Sequence, residues 1–287
     1  MDYRAWPKAE LHLHLEGSVE REEPYRFSGF AGFIQVYKSI VERLRTPDDY
    51  AHITRALLAR LAAENVRYAE ITLSAGVVLW KAQEFAPVYD AVRSAAAESA
   101  IEVRWILDAV RHFGVEHAMQ VAELAAARVQ DGVAAFGIGG DEERGPAEWF
   151  GDIYRFAKAA GLRLTAHAGE TMGPASVWAA LEIGAERIGH GIHAVEDPVL
   201  LRHLRDHQIP LEVCITSNVV MGVVESIEAH PVRRLFDAGV PITLNTDDPA
   251  IFATTLSGEF ELAARHFGFS EAELRTVADN GFIYRFS

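Results

Sequence analysis

The chain has 287 residues, enough to bury a substantial core, and its 41 Asp and Glu against 27 Lys and Arg leave a formal charge of −14. With 49% hydrophobic and 24% charged residues, the composition is that of a folded protein and not of a disordered one. The acidic excess excludes a broad basic face, so neither nucleic acid nor an anionic membrane is expected as a partner. Cys214 is the only cysteine, which rules out an intramolecular disulfide and a multi-cysteine zinc site. No stretch reaches the ~18 uninterrupted apolar residues of a membrane span. The charged start MDYRAWPKAE has no signal-peptide core, so a reducing, cytoplasmic setting is expected.

Short β-rich segments are predicted at residues 9–16, 66–74, 101–110, 133–141, 163–170, 187–193, 209–218 and 241–249. Between them lie stretches of helical periodicity, among them 50–64, 115–129, 152–160 and 198–207. Gly161, Gly184 and Gly239 fall just after three helical stretches, where a C-cap belongs. Strands alternating with helices imply a parallel sheet, and eight such units in a chain of this length predict a (β/α)8 TIM barrel. The rival, a doubly wound open sheet, lacks its G-x-G-x-x-G after the first strand. No linker, repeat or low-complexity tract marks a boundary, so residues 1–287 are read as one barrel domain.

The conspicuous polar residues fall at the C-terminal ends of these strands. The first ends in His12-Leu13-His14-Leu15-Glu16-Gly17, and two histidines two apart on a strand share a face. The fifth ends in His167-Ala168-Gly169-Glu170, the sixth carries Gly189-His190-Gly191, and the eighth ends in Asn245-Thr246-Asp247-Asp248-Pro249. A barrel brings these ends to one mouth, where histidines and an aspartate supply the N and O ligands of a borderline divalent ion such as zinc. The remaining carboxylates and His190 are then free for acid–base work. Singly, each has a plainer reading: a structural histidine, a turn at Asp247-Asp248, a helix start at Glu170. Four such features on four strands make a joint signal. The other histidines, His230 among them, read as surface or capping residues, Glu142-Glu143-Arg144 as a solvated face, and Cys214 as a buried apolar residue.

These residues resemble the adenosine deaminase family of the metal-dependent amidohydrolase barrels. The resemblance is carried by ELHLHLEGS at 10–18, GDE at 140–142, HAGE at 167–170, RIGHGIH at 187–193, CITSN at 214–218 and LNTDDP at 244–249, in the family's order. It implies hydrolytic deamination at the 6-amino group of a purine nucleoside, with one zinc ion held by His12, His14, His167 and Asp247. Glu170 would protonate the purine ring, and His190 and Asp248 would flank the water, with Asp248 reaching N7 and the Gly140 backbone N3. His14 and Glu16 would also face the substrate. The predicted fourth strand, VAAFGIGGDE, has no lysine to carry the bridge of binuclear relatives, so a single metal is expected.

Three departures bear on the substrate. Glu16 stands where many adenosine deaminases have an aspartate on the ribose 5′-hydroxyl, a feature this chain shares with adenine and aminodeoxyfutalosine deaminases. The strand-7 segment ends Thr216-Ser217-Asn218 and runs on to Met221-Gly222, resembling a variant found outside the vertebrate enzymes. The segment 18–30 is much shorter than the family's lid region, which implies a truncated cover over the site. Together they favour a 5′-extended 6-aminopurine nucleoside, with Arg111 as a candidate cation for a terminal carboxylate, ahead of free adenine. The absence of a phosphate-binding glycine loop disfavours AMP. Two further readings stand beside this one: a binuclear esterase, lactonase or phosphotriesterase on the same barrel, and a non-catalytic binding protein. Self-association is left open.

Overall fold

The computed structural model describes residues 1–286. In chain order it runs β1 (Lys8–His14), α1 (Gly29–Val41), α2 (Pro47–Ala63), β2 (Val66–Leu73), α3 (Ala75–Trp80), α4 (Phe85–Ala96), β3 (Glu102–Val110) and α5 (Val115–Ala126). It continues β4 (Val133–Gly139), α6 (Gly151–Ala159), β5 (Arg163–Ala168), α7 (Pro174–Glu182), β6 (Arg187–His190), α8 (Pro198–Asp206), β7 (Leu211–Val213), α9 (Ile215–Val220), α10 (Val232–Asp237), β8 (Ile242–Leu244), α11 (Leu256–Phe267) and α12 (Glu271–Ile283). The strands are parallel and pair in the order β1 to β8. This is the expected (β/α)8 barrel.

Local chemistry explains the helix ends. Thr46 and Asp49 form a capping box at α2, as Ser270 and Glu273 do at α12, each pair satisfying backbone N–H groups that a helix start leaves free. Gly161, Gly184 and Gly239 all have positive φ just past α6, α7 and α10, as their positions in the sequence predict.

The sheet closes through a side-chain and backbone seam. The Asp247 N–H donates to the His12 carbonyl at 3.0 Å, the His14 N–H donates to the Asp247 carbonyl at 2.8 Å, and the Leu11 N–H donates to Asn245 Oδ1 at 3.0 Å. The LNTDDP segment thus completes the barrel and delivers Asp247 to the first strand's histidines in one stroke.

Strands β7 and β8 are shorter than the sequence predicts. The β-branched run after Cys214 reads as strand by propensity, yet it coils into α9, which buries Ser217 and Asn218 against hydrogen-bond partners, Asp247 and the His190 and His230 rings. Inside the barrel, Arg187 is fully buried between Glu70 and Glu212, donating from Nε to Glu212 at 2.6 Å, and lies 3.6 Å over the Phe286 ring. Breaking one partner of such a buried ion network costs about 3–5 kcal/mol.

Segment 18–30 holds no α-helix before Gly29, where α1 begins, and Phe30, Phe33 and Tyr37 of α1 line the mouth of the site. Among the described residues no helix is long and apolar enough to cross a membrane.

Candidate metal centre and acid–base site

β1, β5, β6 and the segment after β8 place His12, His14, His167, His190 and Asp247 together at the C-terminal mouth of the barrel. One ligand atom from each of His12, His167, His190 and Asp247 falls within 4.8 Å of all the others. His14, expected from the sequence in place of His190, lies outside that tightest group but still touches it. Its Nε2 is 3.2 Å from His167 Nε2 and 3.4 Å from Asp247 Oδ1. Two nitrogens bound to a tetrahedral zinc at its usual bond length sit about 3.3 Å apart, so the His14–His167 spacing is that of a ligand pair.

The room for these rings is cut by glycine. A Cβ at Gly189 would stand 2.7 Å from His12 Cε1, and one at Gly17 only 1.7 Å from Asp248 Oδ1. The glycines of RIGHGIH and HLEG are therefore spaces occupied by functional side chains. His190 and Asp247 themselves have φ of 62° and 61°, in the left-handed region, which His and Asp tolerate better than most residues. Such departures gather at functional sites.

Hydrogen bonds orient each ligand. His12 Nδ1–H donates to Glu212 at 2.7 Å, leaving a buried Nε2 with no hydrogen-bond partner. His167 Nδ1–H donates to the Ile138 carbonyl at 3.1 Å, which directs the Nε2 lone pair inward. Ser217 Oγ–H donates to Asp247 Oδ2 at 2.5 Å, so Oδ1 faces His12 and His14. Burial pulls His14 down to about 4 and His167 well below its ordinary value, the neutral form that ligates. Burial acts the same way on His12, but the Glu212 hydrogen bond and the charges of Glu212 and Asp247 outweigh it and raise it to about 10. That proton must leave when a cation enters. The orphaned His12 Nε2, the inward Nε2 of His167 and the ionised Asp247 fit a divalent metal.

Carboxyls of opposite character flank this centre. Burial, reinforced by the Asp247 charge, pushes Glu170 well above the usual carboxylate range, which favours its protonated form. Burial and Asp247 do the same to Asp248, while Asp247 is held far down by its histidines despite its burial. Neighbouring groups driven apart in this way mark acid and base assignments. His190 Nε2 is 3.6 Å from Glu170 Oε1.

Glu142, which reads in the sequence as part of a solvated face, is buried and builds the loop that carries Glu170. It accepts from the backbone N–H groups of Gly169, Glu170 and Thr171 at 2.8, 2.9 and 2.8 Å, and from the hydroxyls of Thr171 and Ser176 at 3.2 and 2.5 Å. Glu142→Gln would turn an amide NH2 onto these donors. It is expected to destabilise the protein by about 2–3 kcal/mol, measured by denaturant unfolding; an unchanged midpoint would show that the loop does not depend on it.

A cavity of about 360 Å³ opens above the cluster, lined at its base by His14, Glu170, His190 and Asp248 and at its side by Gly140. Its outer wall carries Lys38 of α1 and a stacked pair, Trp80 and Phe113, with ring centroids 6.1 Å apart. Two sequence expectations are corrected here. Arg111 does not face the cavity: it is fully buried and donates from Nη2 to the His167 carbonyl at 2.6 Å. Glu16 is likewise fully buried behind the wall, where its Oε1 accepts from the Ser74 N–H at 3.1 Å, and Ser74 is the residue that lines the cavity. Lys38 carries no motif, and only the fold of α1 over the mouth reveals it.

Residues 22–286 match the family model described as adenosine deaminase. An aminodeoxyfutalosine deaminase of Streptomyces avermitilis is 39% identical, over 96% of this chain and 85% of the relative. An adenine deaminase of Rhizobium leguminosarum bv. trifolii is 37% identical, over 96% of this chain and 94% of the relative. Among solved structures, an amidohydrolase from Burkhoderia ambifaria with bound Zn superposes with a TM-score of 0.88 at 29% identity, covering 99% of this chain and 87% of that one.

Proposed function

Since this chain belongs to the adenosine deaminase family, we propose that it hydrolyses the 6-amino group from a purine nucleoside and releases ammonia, with His12, His14, His167 and Asp247 holding one zinc ion per chain. The observation that carries the reading is the pairing, at one buried mouth, of a metal-fitted donor set with a glutamic acid whose carboxyl burial raises well above its ordinary value. A zinc ion held there supplies a water whose pKa is lowered to ~7.

This chain's own groups do the rest. Addition of water at C6 places negative charge on the ring, and Glu170, buried and protonated, gives its proton to N1. Asp248, whose carboxyl burial and the Asp247 charge also raise, donates to N7, an acceptor, in its protonated form, while the Gly140 backbone meets N3 at the cavity wall. His190 orients the water from the side facing Glu170. α1 lays Phe30 and Phe33 along the mouth, an apolar wall beside the reacting centre.

The outer wall favours a 5′-extended nucleoside. Lys38 offers a cation beside the stacked Trp80 and Phe113, a combination suited to an aromatic group ending in a carboxylate, as in aminodeoxyfutalosine. Free adenine leaves these groups unused. In a comparison of adenine, adenosine, 2′-deoxyadenosine, AMP and aminodeoxyfutalosine, kcat/KM for the extended nucleoside is expected to equal or exceed that for adenosine. Lys38→Met should lower it about tenfold while leaving adenosine unchanged. A strong preference for adenosine or adenine, indifferent to Lys38, would overturn this choice of substrate. Two tightly bound ions per chain would instead favour an ester or phosphotriester hydrolase.

A further inference from the structure

His12 and His167 each turn their outer ring nitrogen to an acceptor, but His190 does not. Its Nδ1 is 3.2 Å from Nδ2 of Asn218, whose Oδ1 is 3.1 Å from Nε2 of His230. The Nδ1 of His230 in turn receives the Val232 backbone N–H at 3.2 Å. All three side chains are buried, with exposures of 1%, 0% and 3%.

Any one of these bonds could run either way, because imidazole has two neutral tautomers and an amide can be turned over. The chain of bonds cannot, because it ends on a backbone N–H, which only donates. His230 must therefore accept at Nδ1 and carry its proton on Nε2. Asn218 Oδ1 must accept that proton, which leaves its NH2 to donate to His190 Nδ1. The proton of His190 is then on Nε2. Burial, which lowers His230 to about 3, keeps that ring neutral, as this pattern requires.

We propose that His230 is a positioning residue: through Asn218 it locks His190 into the tautomer protonated at Nε2, so that His190 presents an N–H and not a lone pair to the cluster. A protonated nitrogen does not ligate. His190 is thereby removed from the donor set in spite of its close packing with His12, His167 and Asp247, and His14 takes the fourth place. In the same state His190 donates a hydrogen bond to the attacking oxygen and does not take its proton. This consequence rests on the metal-dependent reading above, whereas the tautomer itself does not.

The test combines nitrogen NMR with zinc affinity on the full chain. In protein labelled with 15N-histidine, with and without zinc, His190 is expected to show a protonated Nε2 and a bare Nδ1. In Asn218→Asp, whose carboxylate accepts from both imidazoles, the pattern should reverse. A bare Nε2 in the wild type, or no reversal, would overturn the lock. His14→Ala should bind zinc more weakly, and adding Asn218→Asp should recover about tenfold or more, because His190 can then ligate. No recovery would count against the lock. If Asn218→Asp does not fold, His230→Phe should populate both His190 tautomers, and a single unchanged tautomer there would overturn the role of His230. A wild type that binds no zinc would refute the metal centre, while the NMR result would still decide the tautomer.

Discussion

Glu170→Gln is expected to retain its metal and lose at least ~100-fold in kcat, the usual contribution of a positioned general acid. The amide keeps the shape of the side chain and has no proton to give. Because burial raises the Glu170 carboxyl well above its ordinary value, its proton is held to higher pH than an ordinary carboxyl's and is lost as pH rises through that raised ionisation. The wild type should therefore slow as pH rises through that ionisation, and the variant's residual rate should lack this limb. Turnover near that of the wild type would remove Glu170 from its role.

The second large effect distinguishes two donor sets. His12→Ala, His14→Ala, His167→Ala and Asp247→Ala should each weaken zinc binding by more than the roughly 10–100-fold typical of an outer-shell change, and abolish turnover. His190→Ala should keep its zinc and lose turnover. Metal content measured after dialysis separates the cases. A His14→Ala protein with full zinc, beside a His190→Ala protein with none, would exchange the two residues' places.

Much of this arrangement is legible in the sequence. Alternation of strand and helix signals predicts the barrel, and HLHLEG, HAGE, RIGHGIH and LNTDDP bring His12, His14, Glu16, His167, Glu170, His190, Asp247 and Asp248 to the end at which a barrel binds ligands. What escapes is the support behind them. Glu142 acts on backbone N–H groups of a different strand's loop, and His230 acts through Asn218, so neither carries a local pattern. α9 escapes because its β-branched residues favour a strand until the whole barrel rewards a turn of helix. Arg111 and Glu16 look available in the sequence because burial is a property of the fold, which encloses both.

The cover helix α1 belongs to a cluster of its own. Phe27, Phe30, Phe33 and Tyr37 pack with Ile40, Met221, Ile251 and Phe252, Phe33 stacking on Phe252 at 5.6 Å, apart from the main barrel core. Its detachment gives up that small aromatic patch and little of the barrel, so its opening is a subglobal event with a free energy well below that of global unfolding. Thermal tolerance and catalytic tolerance are then separate properties of this molecule. On warming, the site is expected to lose its cover before the barrel melts, so the temperature at which activity collapses should lie below the melting temperature of the fold; coincident temperatures would show that α1 and the barrel come apart together.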